Sequence, residues 1–134
     1  MLGERVGEEN GRITLQRVLD AEGPKIETSF SASGTYRTID VTDLGTYWTL
    51  QRTDGSLYGE GQGVVMTRDG EIAPWTAQGL GRFISPGTIR FRGSSFYRTS
   101  STGGLAFLNN LMAVFEYQVN EVGNTTATSW EWSY

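Results

Sequence analysis

The sequence predicts an all-β protein, a closed antiparallel up-and-down barrel of about eight strands. Eighteen glycines and three prolines separate short runs rich in Thr, Val, Ile and aromatic residues, which is typical of strands and tight turns. Asp-Gly pairs at 54–55 and 69–70 lie between alternating runs and indicate hairpins. A long meander leaves two open edges unless its first and last strands pair, so we expect closure.

The turn signals divide the chain into strands, with a short extra piece at 38–41. The predicted strands are residues 12–20, 25–36, 38–41, 44–53, 56–67, 71–84, 88–99, 105–120 and 124–132. A chain of 134 residues has the size of one domain with a real core. We therefore expect a single barrel domain over 1–134, with residues 1–11 as a flexible or loosely docked amino terminus.

Composition excludes several kinds of chemistry. The chain has no cysteine and no histidine, which removes disulfides, thiol nucleophiles and the commonest general base and metal ligand. A net charge of -4 gives no basic surface for nucleic acid or an anionic membrane. Without a leader or a long apolar run, a cytoplasmic protein is expected. No Asp-rich loop predicts a metal site, and no cofactor is expected.

One strand carries glycine at every second position. In SLYGEGQGVVMT, residues 56–67, these are Gly59, Gly61 and Gly63. Glycine inside a strand packs nothing and usually marks a close approach by something large. No helix or Lys-Ser/Thr follows this run, so it does not match a phosphate-binding loop. The glycines make room either for the chain's own aromatic side chains or for a ligand.

Two-residue loops at both Asp-Gly pairs would place Trp48 and Gln78 opposite Gly61, and Leu50 and Leu80 opposite Gly59. Since side chains alternate, the more apolar face should point inward. The predicted inner face contains Leu44, Thr46, Trp48, Leu50, Leu57, Gly59, Gly61, Gly63, Val65, Ile72, Thr76, Gln78, Leu80, Ile84, Ile89, Phe91, Ser95, Tyr97, Phe107, Asn109, Leu111, Ala113, Phe115, Tyr117, Val119, Trp130 and Trp132, with Ile13, Leu15, Ile26, Phe30 and Tyr36. The predicted outer face contains Tyr47, Thr49, Gln51, Tyr58, Glu60, Gln62, Arg90, Arg92 and Arg98.

The stretch PWTAQGLGRFISPGTIRFRG, residues 74–93, resembles the central hairpin of allene oxide cyclases and dirigent proteins through Gly79, Gly81, Phe83 and Gly87. The end of the chain is similar to small uncharacterised bacterial barrels. The resemblance implies an eight-stranded barrel that associates as dimers or trimers and holds an apolar substrate in its lumen. It also implies catalysis by substrate shaping, assisted by a glutamate. That glutamate is not matched to a position in this sequence.

Two functions fit this pattern. The first is a cofactor-free cyclase or isomerase in which Tyr97, Gln78 and Asn109 donate hydrogen bonds to developing charge on oxygen. If the glycine strand were turned over, Glu60 would enter the lumen as a general base. The residues expected to contact a small hydrophobic ligand are Trp48, Gly59, Gly61, Gly63, Leu80, Phe91, Phe107, Phe115 and Tyr117. The second function is a non-catalytic hydrophobic-ligand carrier, or a structural homo-oligomer with a filled core.

Overall fold

In the computed structural model, which describes residues 2–134, eight strands form a closed antiparallel barrel. Each strand pairs with the next along the chain, and the first pairs with the last. The strands are β1 (Leu2–Asp20), β2 (Lys25–Tyr36), β3 (Ile39–Gln51), β4 (Leu57–Met66), β5 (Ile72–Ser85), β6 (Thr88–Tyr97), β7 (Leu111–Val119) and β8 (Asn124–Trp132), with a 3-10 helix at Gly104–Leu108. The predicted fold class is confirmed.

Three segments differ from the prediction. The segment 1–11 was expected to be flexible or loosely docked; residue 1 lies outside the described residues, and residues 2–11 belong to β1, which pairs with β8 and so closes the barrel. The predicted strands 38–41 and 44–53 form one continuous strand, β3. The predicted strand over 105–120 begins only at residue 111, since the 3-10 helix occupies its start.

The two ends of the barrel differ. At one end, here called the closed end, the 3-10 helix packs into the barrel with Leu105 and Leu108 fully buried. These side chains join a core with Val6, Tyr36, Val41, Val65, Ala73, Tyr97, Leu111 and Ala113. The other end, here called the open end, is formed by the turns at 21–24, 52–56, 86–87 and 120–123. Among residues 2–134, no helix is long and apolar enough to cross a membrane.

The hairpin between β3 and β4 closes through three residues, 53–55, where the sequence predicted two. The backbone N–H of Arg52 donates to the carbonyl of Ser56 at 2.8 Å. Gly55 has a φ of 86°, the left-handed conformation that follows a type I turn in hairpin loops of this length. The hairpin between β4 and β5 repeats this geometry at residues 68–70, where Gly70 has a φ of 95°.

One extra residue in each loop turns β3 and β5 over relative to β4, because side chains alternate between the two faces of a strand. Tyr47 and Ala77 lie opposite Gly61, in place of the predicted Trp48 and Gln78. The inward orientation predicted for the following side chains is therefore wrong: Leu44, Thr46, Trp48, Leu50, Ile72, Thr76, Gln78 and Leu80. Ile84 is also exposed.

Strands β4, β6 and β7 have the predicted orientation. The three alternate glycines face the lumen, and Glu60 is exposed. A bulge between Phe83 and Ser85 offsets the reversal of β5, so Phe91 and Tyr97 remain inside.

Strands β1 and β8 account for the other corrections. A three-residue loop at 121–123 sets the register of β8, whose lumenal positions are Thr125, Ala127 and Ser129. Trp130 and Trp132 therefore lie outside. Leu15 is exposed because the register shifts between Ile13 and Leu15.

Aromatic rings occupy the space that the glycines leave. A Cβ atom built on Gly63 would lie 2.5 Å from Cε2 of Trp75, and one on Gly93 would lie 2.7 Å from Cζ of Phe115. A Cβ on Gly81 would lie 2.6 Å from the ring of Phe91. At Gly63 the predicted close approach of a large group is correct, and that group is the ring of Trp75. At Gly59 and Gly61 the atoms nearest to an added Cβ belong to β3, namely backbone and non-ring side-chain atoms.

Candidate functional site

The lumen contains a cavity of about 110 Å³. Its walls are mainly aromatic and glycine-rich, with a few polar groups grouped together. The lining residues are Gly7, Glu9, Phe30, Ala32, Tyr36, Asp43, Tyr47, Gly59, Glu60, Gly61, Trp75, Ala77, Gln78, Gly79, Phe91, Ser95, Tyr97, Phe115, Tyr117, Thr125, Ala127 and Ser129, of which Glu60 and Gln78 are exposed residues. A mostly apolar cavity with convergent polar groups is the usual form of a small-molecule site.

Four aromatic residues form a cluster that we call the ring cage: Phe30, Tyr47, Phe91 and Tyr117. Their ring centroids are 5.5–6.1 Å apart in the contacting pairs. The hydroxyls of Tyr47 and Tyr117 are hydrogen-bonded at 3.1 Å. On β3, Tyr47 lies four residues beyond Asp43 toward the open end. The ring cage therefore lies between the open end and the polar layer described next.

The polar layer contains two carboxyl groups, Glu9 of β1 and Asp43 of β3, which we call the acid pair. Both side chains are buried, with exposed fractions of 9% and 3%. The indole Nε1–H of Trp75 donates to Oδ1 of Asp43 at 2.8 Å. The hydroxyl of Tyr36 donates to Oε1 of Glu9 at 3.1 Å. The second carboxyl oxygen of Glu9, Oε2, is buried without a hydrogen-bond partner.

A chain of hydroxyl groups continues from the acid pair toward the closed end. The oxygens of Tyr36 and Tyr97 lie 3.0 Å apart. Because Tyr36 has a single hydroxyl hydrogen, which it gives to Glu9, Tyr97 is the donor in this second bond. The hydrogen bonds thus point in one direction, toward the carboxyl groups, as expected where negative charge accumulates.

The acid pair holds a proton more tightly than isolated carboxyl groups do. Burial, followed by the nearby charge of Asp43, raises the pKa of Glu9 well above its ordinary value of 4.5. Burial also raises the pKa of Asp43. Two carboxylate ions cannot hydrogen-bond to each other, so Oε2 of Glu9 lacks a partner as long as both are ionised. A proton on Glu9, shared with Asp43, satisfies this atom.

The sequence-predicted catalytic residues are dispersed by the fold. Tyr97 lies in the lumen, bonded to Tyr36. The side chains of Glu60 and Gln78 lie on the outer surface, where the hydroxyl of Tyr58 donates to both, at 2.6 and 3.2 Å. Asn109 is at the closed end, where its side chain accepts a hydrogen bond from the backbone N–H of Thr99 at 3.2 Å.

The predicted ligand-contacting residues divide into two groups. Gly59, Gly61, Phe91, Phe115 and Tyr117 line the cavity, and Gly63 faces Trp75. Trp48 and Leu80 lie outside because β3 and β5 are reversed, with Trp48 beside Gln78 in an outer groove. Phe107 is half-buried at the closed end beneath the guanidinium of Arg37, 4.0 Å from the ring centroid.

Sequence reasoning missed the acid pair, Trp75 and Tyr47. Glu9 lies in the segment that was expected to be flexible, and Asp43 falls between two predicted strands. Tyr47 was assigned to the outer face. For Asp43, Tyr47 and Trp75 the signal is the left-handed glycine at the third position of each three-residue loop, since this loop length fixes which face of β3 and β5 points inward. These loops carry no signal for Glu9, which lies on β1.

A metal centre of the usual kind is absent from the part of the chain that the structure describes. No group of three or more His, Cys, Asp or Glu side chains is placed to hold an ion within residues 2–134. The polar side chains that line the lumen carry carboxyl, phenol and hydroxyl groups, together with the indole N–H of Trp75.

No family model matches the chain, and no curated protein matches it. Solved structures do. A conserved protein of unknown function from Rhodopseudomonas palustris aligns with a TM-score of 0.77 and 14% identity over 98% of this chain and 97% of that one. A protein of unknown function from Clostridium acetobutylicum aligns with a TM-score of 0.81 and 14% identity over 97% of this chain and 98% of that one. A β-barrel-like protein from Acinetobacter baumannii aligns with a TM-score of 0.78 and 14% identity over 98% of this chain and 94% of that one. At this identity, the similarity shows the β-barrel fold alone.

Proposed function

We propose that the chain is a small-molecule-binding barrel whose lumen takes a ligand about the size of one six-membered ring. The observation that carries this proposal is the cavity of about 110 Å³ beside the ring cage. An apolar protein cavity of about 150 Å³ is known to bind benzene. Polyketide-like and fatty ligands are larger than this cavity, and their entry would require the rings to move.

Binding is tested with benzene, phenol and cyclohexanone, by titration calorimetry and by the shift in melting temperature. Ala127→Leu fills the cavity from β8, whereas Thr128→Leu adds the same group at the adjacent outward position. The wild type and Thr128→Leu should bind at least one of these molecules, and Ala127→Leu should bind none. The proposal fails if none of the three binds the wild type, or if Ala127→Leu binds as well as Thr128→Leu does.

A cofactor-free isomerase or cyclase is the second candidate function. It is favoured by the carboxyl group of Glu9, which lines the cavity beside the hydroxyls of Tyr36 and Tyr97. A buried carboxyl group with a raised pKa, next to hydroxyl donors, suits proton transfer at carbon next to a carbonyl. Glu9 would then take the role that the sequence suggested for Glu60.

Proton transfer is tested by following deuterium exchange into cyclohexanone in heavy water. The protein should accelerate exchange, and Glu9→Gln should abolish the acceleration while leaving cyclohexanone binding intact. An exchange rate equal to the protein-free rate, with cyclohexanone bound, would remove this second function and leave the first.

We also propose that the chain self-associates, as the resemblance to allene oxide cyclases and dirigent proteins implies. Large apolar side chains exposed on the outer faces of β3, β5 and β6 support a subunit contact, among them Leu44, Leu80 and Phe96. Analytical ultracentrifugation of the wild type should give a dimer or trimer, and Leu80→Lys should shift it toward monomer. A wild type that sediments as a monomer would remove this part of the proposal.

A further inference from the structure

The charge inside the barrel is negative, and no basic side chain balances it. All ten arginines are exposed. The single lysine, Lys25, lies over the outward-facing ring of Trp48, 4.3 Å from its centroid. The lumen of residues 2–134 therefore contains two carboxyl groups and no cationic side chain.

The burial of Glu9 makes this imbalance costly. Its side chain is more than nine-tenths buried and lines the cavity, and its Oε2 has no hydrogen-bond partner as long as both carboxyl groups are ionised. A buried charge is stable only when it is paired or hydrogen-bonded. One shared proton neutralises one member of the acid pair, and the other member keeps a negative charge that Trp75 and the tyrosine hydroxyls stabilise only through dipoles.

The ring cage provides a second, independent attraction for positive charge. Phe30, Tyr47, Phe91 and Tyr117 surround the cavity on the side toward the open end. Aromatic faces carry negative potential, and cages of such rings bind ammonium groups, most strongly where water is excluded. The cavity therefore has aromatic rings at one side and carboxyl groups at the other, with a volume of about 110 Å³.

We propose that the lumenal ligand is a small organic cation, a protonated amine or a quaternary ammonium ion, held between the ring cage and the acid pair. This inference rests on the proposed function, since it specifies which small molecule the lumen binds. The cation supplies the charge that the lumen lacks, so it should bind more tightly than a neutral molecule of the same shape. An anion of that shape should be rejected by the acid pair.

The proposal predicts a pH dependence. The titratable groups that face Glu9 are Asp43, Tyr36, Tyr97 and Tyr117, from β3, β2, β6 and β7. Burial raises the pKa of each of these four side chains, so the tyrosines remain neutral near pH 7 and the acid pair alone changes charge. Affinity for the cation should fall as pH decreases and the pair becomes neutral, whereas affinity for a neutral ligand should not.

The test compares three ligands of one shape and different charge: benzylamine, which is cationic near neutral pH, benzyl alcohol and benzoate. Titration calorimetry on the wild type should give benzylamine about tenfold or more tighter binding than benzyl alcohol, equivalent to about 1.4 kcal/mol, and no binding of benzoate. Tetramethylammonium should also bind, because it needs no hydrogen-bond acceptor. These comparisons require no variant, so they hold even if a substitution prevents folding.

Variants then locate the effect. The double variant Glu9→Gln/Asp43→Asn removes both carboxyl groups and should equalise the affinities for benzylamine and benzyl alcohol, whereas Glu116→Gln on the outer surface should keep the preference. Equal affinities in the wild type, or a preference that survives in the double variant, would overturn the cation proposal. If benzyl alcohol still binds and Ala127→Leu abolishes its binding, the proposed function stands without it. If neither ligand binds, both fail.

Discussion

The hydroxyl of Tyr36 donates a hydrogen bond to Oε1 of Glu9 at 3.1 Å in the interior of the barrel. The two side chains come from adjacent strands, and Gly7 makes their approach possible, because a Cβ there would lie 2.6 Å from Cε1 of Tyr36. Through Tyr97 and through Asp43 with Trp75, the network continues to β6, β3 and β5. Polar contacts therefore link strands that are distant in the sequence, and they do so in the layer that carries the site.

Glu9 should make the stability of the barrel depend on pH in an unusual direction. Burial raises the pKa of Glu9 above its unfolded value of 4.5. The folded state then binds a proton more tightly than the unfolded state does. The stabilisation is complete below the unfolded pKa and is lost as pH rises through the folded pKa. Urea denaturation should show lower stability at pH 8 than near pH 5, with about 1.4 kcal/mol for each tenfold difference in proton affinity.

Glu9→Gln isolates this effect. The amide can accept from Tyr36 and donate to Asp43 without titrating, so the fall in stability between pH 5 and pH 8 should become smaller than in the wild type. Glu116→Gln, at an exposed position, should keep the wild-type pH profile. A Glu9→Gln profile that parallels the wild type would contradict the assignment of the raised pKa to Glu9.

The fold could be predicted because its signals are local. Glycine turns and alternating runs define the strands, and the need to pair both edges predicts closure. The orientation of a strand depends on the length of a single loop, and an Asp-Gly pair occurs in loops of both two and three residues. The wrong orientation predicted for β3 and β5 resulted from this ambiguity alone. Hydropathy could not correct it, because β3 places Asp43 inside and Trp48 outside.

The candidate site was predictable only in part for the same reason. Phe91, Phe115 and Tyr117 lie on strands whose orientation was correct, and they line the cavity. The acid pair was not predictable, because inward-facing positions are predicted from apolar residues and a carboxyl group is therefore assigned to the outer face. Its position is stabilised by donors from β2 and β5, which only the closed barrel brings together.

Gly63→Ala should destabilise the barrel more than Gly59→Ala. A Cβ at Gly63 would overlap the ring of Trp75 and lie 2.5 Å from the carbonyl oxygen of Leu44. At Gly59 the nearest atoms are 3.0 Å away or more. Overpacking of this kind costs about 1–3 kcal/mol, and the cost at Gly59 should be smaller. Urea denaturation of both variants tests the order, and equal losses would show that Trp75 moves away freely.

Gly55 should be sensitive to its backbone conformation and not to packing. Its φ is 86°, and nothing lies within 4 Å of a Cβ built there. Gly55→Val should therefore lose about 1–2 kcal/mol through left-handed strain, and Gly55→Asn should lose less. Thr53→Val in the same loop is the control for loss of surface polarity. Thermal denaturation that ranks Gly55→Asn below Gly55→Val would argue against the left-handed conformation of Gly55.

The lumenal tyrosines should resist ionisation until the barrel unfolds. Burial raises the pKa of Tyr47 to about 12, and it raises the pKa values of Tyr36, Tyr97 and Tyr117 as well. Since the folded pKa values exceed the unfolded value of 10.0, stability should be complete below pH 10 and decline above it. Tyrosinate absorbance at pH 11 should therefore rise sharply when urea unfolds the protein.

Two variants, each lacking one tyrosine hydroxyl, distinguish the contribution of a lumenal tyrosine to this absorbance change from that of a surface tyrosine. Tyr117→Phe removes a buried phenol and should reduce the absorbance step on unfolding at pH 11. Tyr58→Phe removes a phenol on the outer surface, where Glu60 accepts its hydrogen bond, and should reduce that step less. If both variants shorten the step equally, Tyr117 is no better shielded from water than Tyr58, and the prediction that the lumenal tyrosines resist ionisation is wrong for Tyr117. If Tyr117→Phe alone shortens it, the phenol of Tyr117 is shielded from water in the folded barrel, as its raised pKa implies.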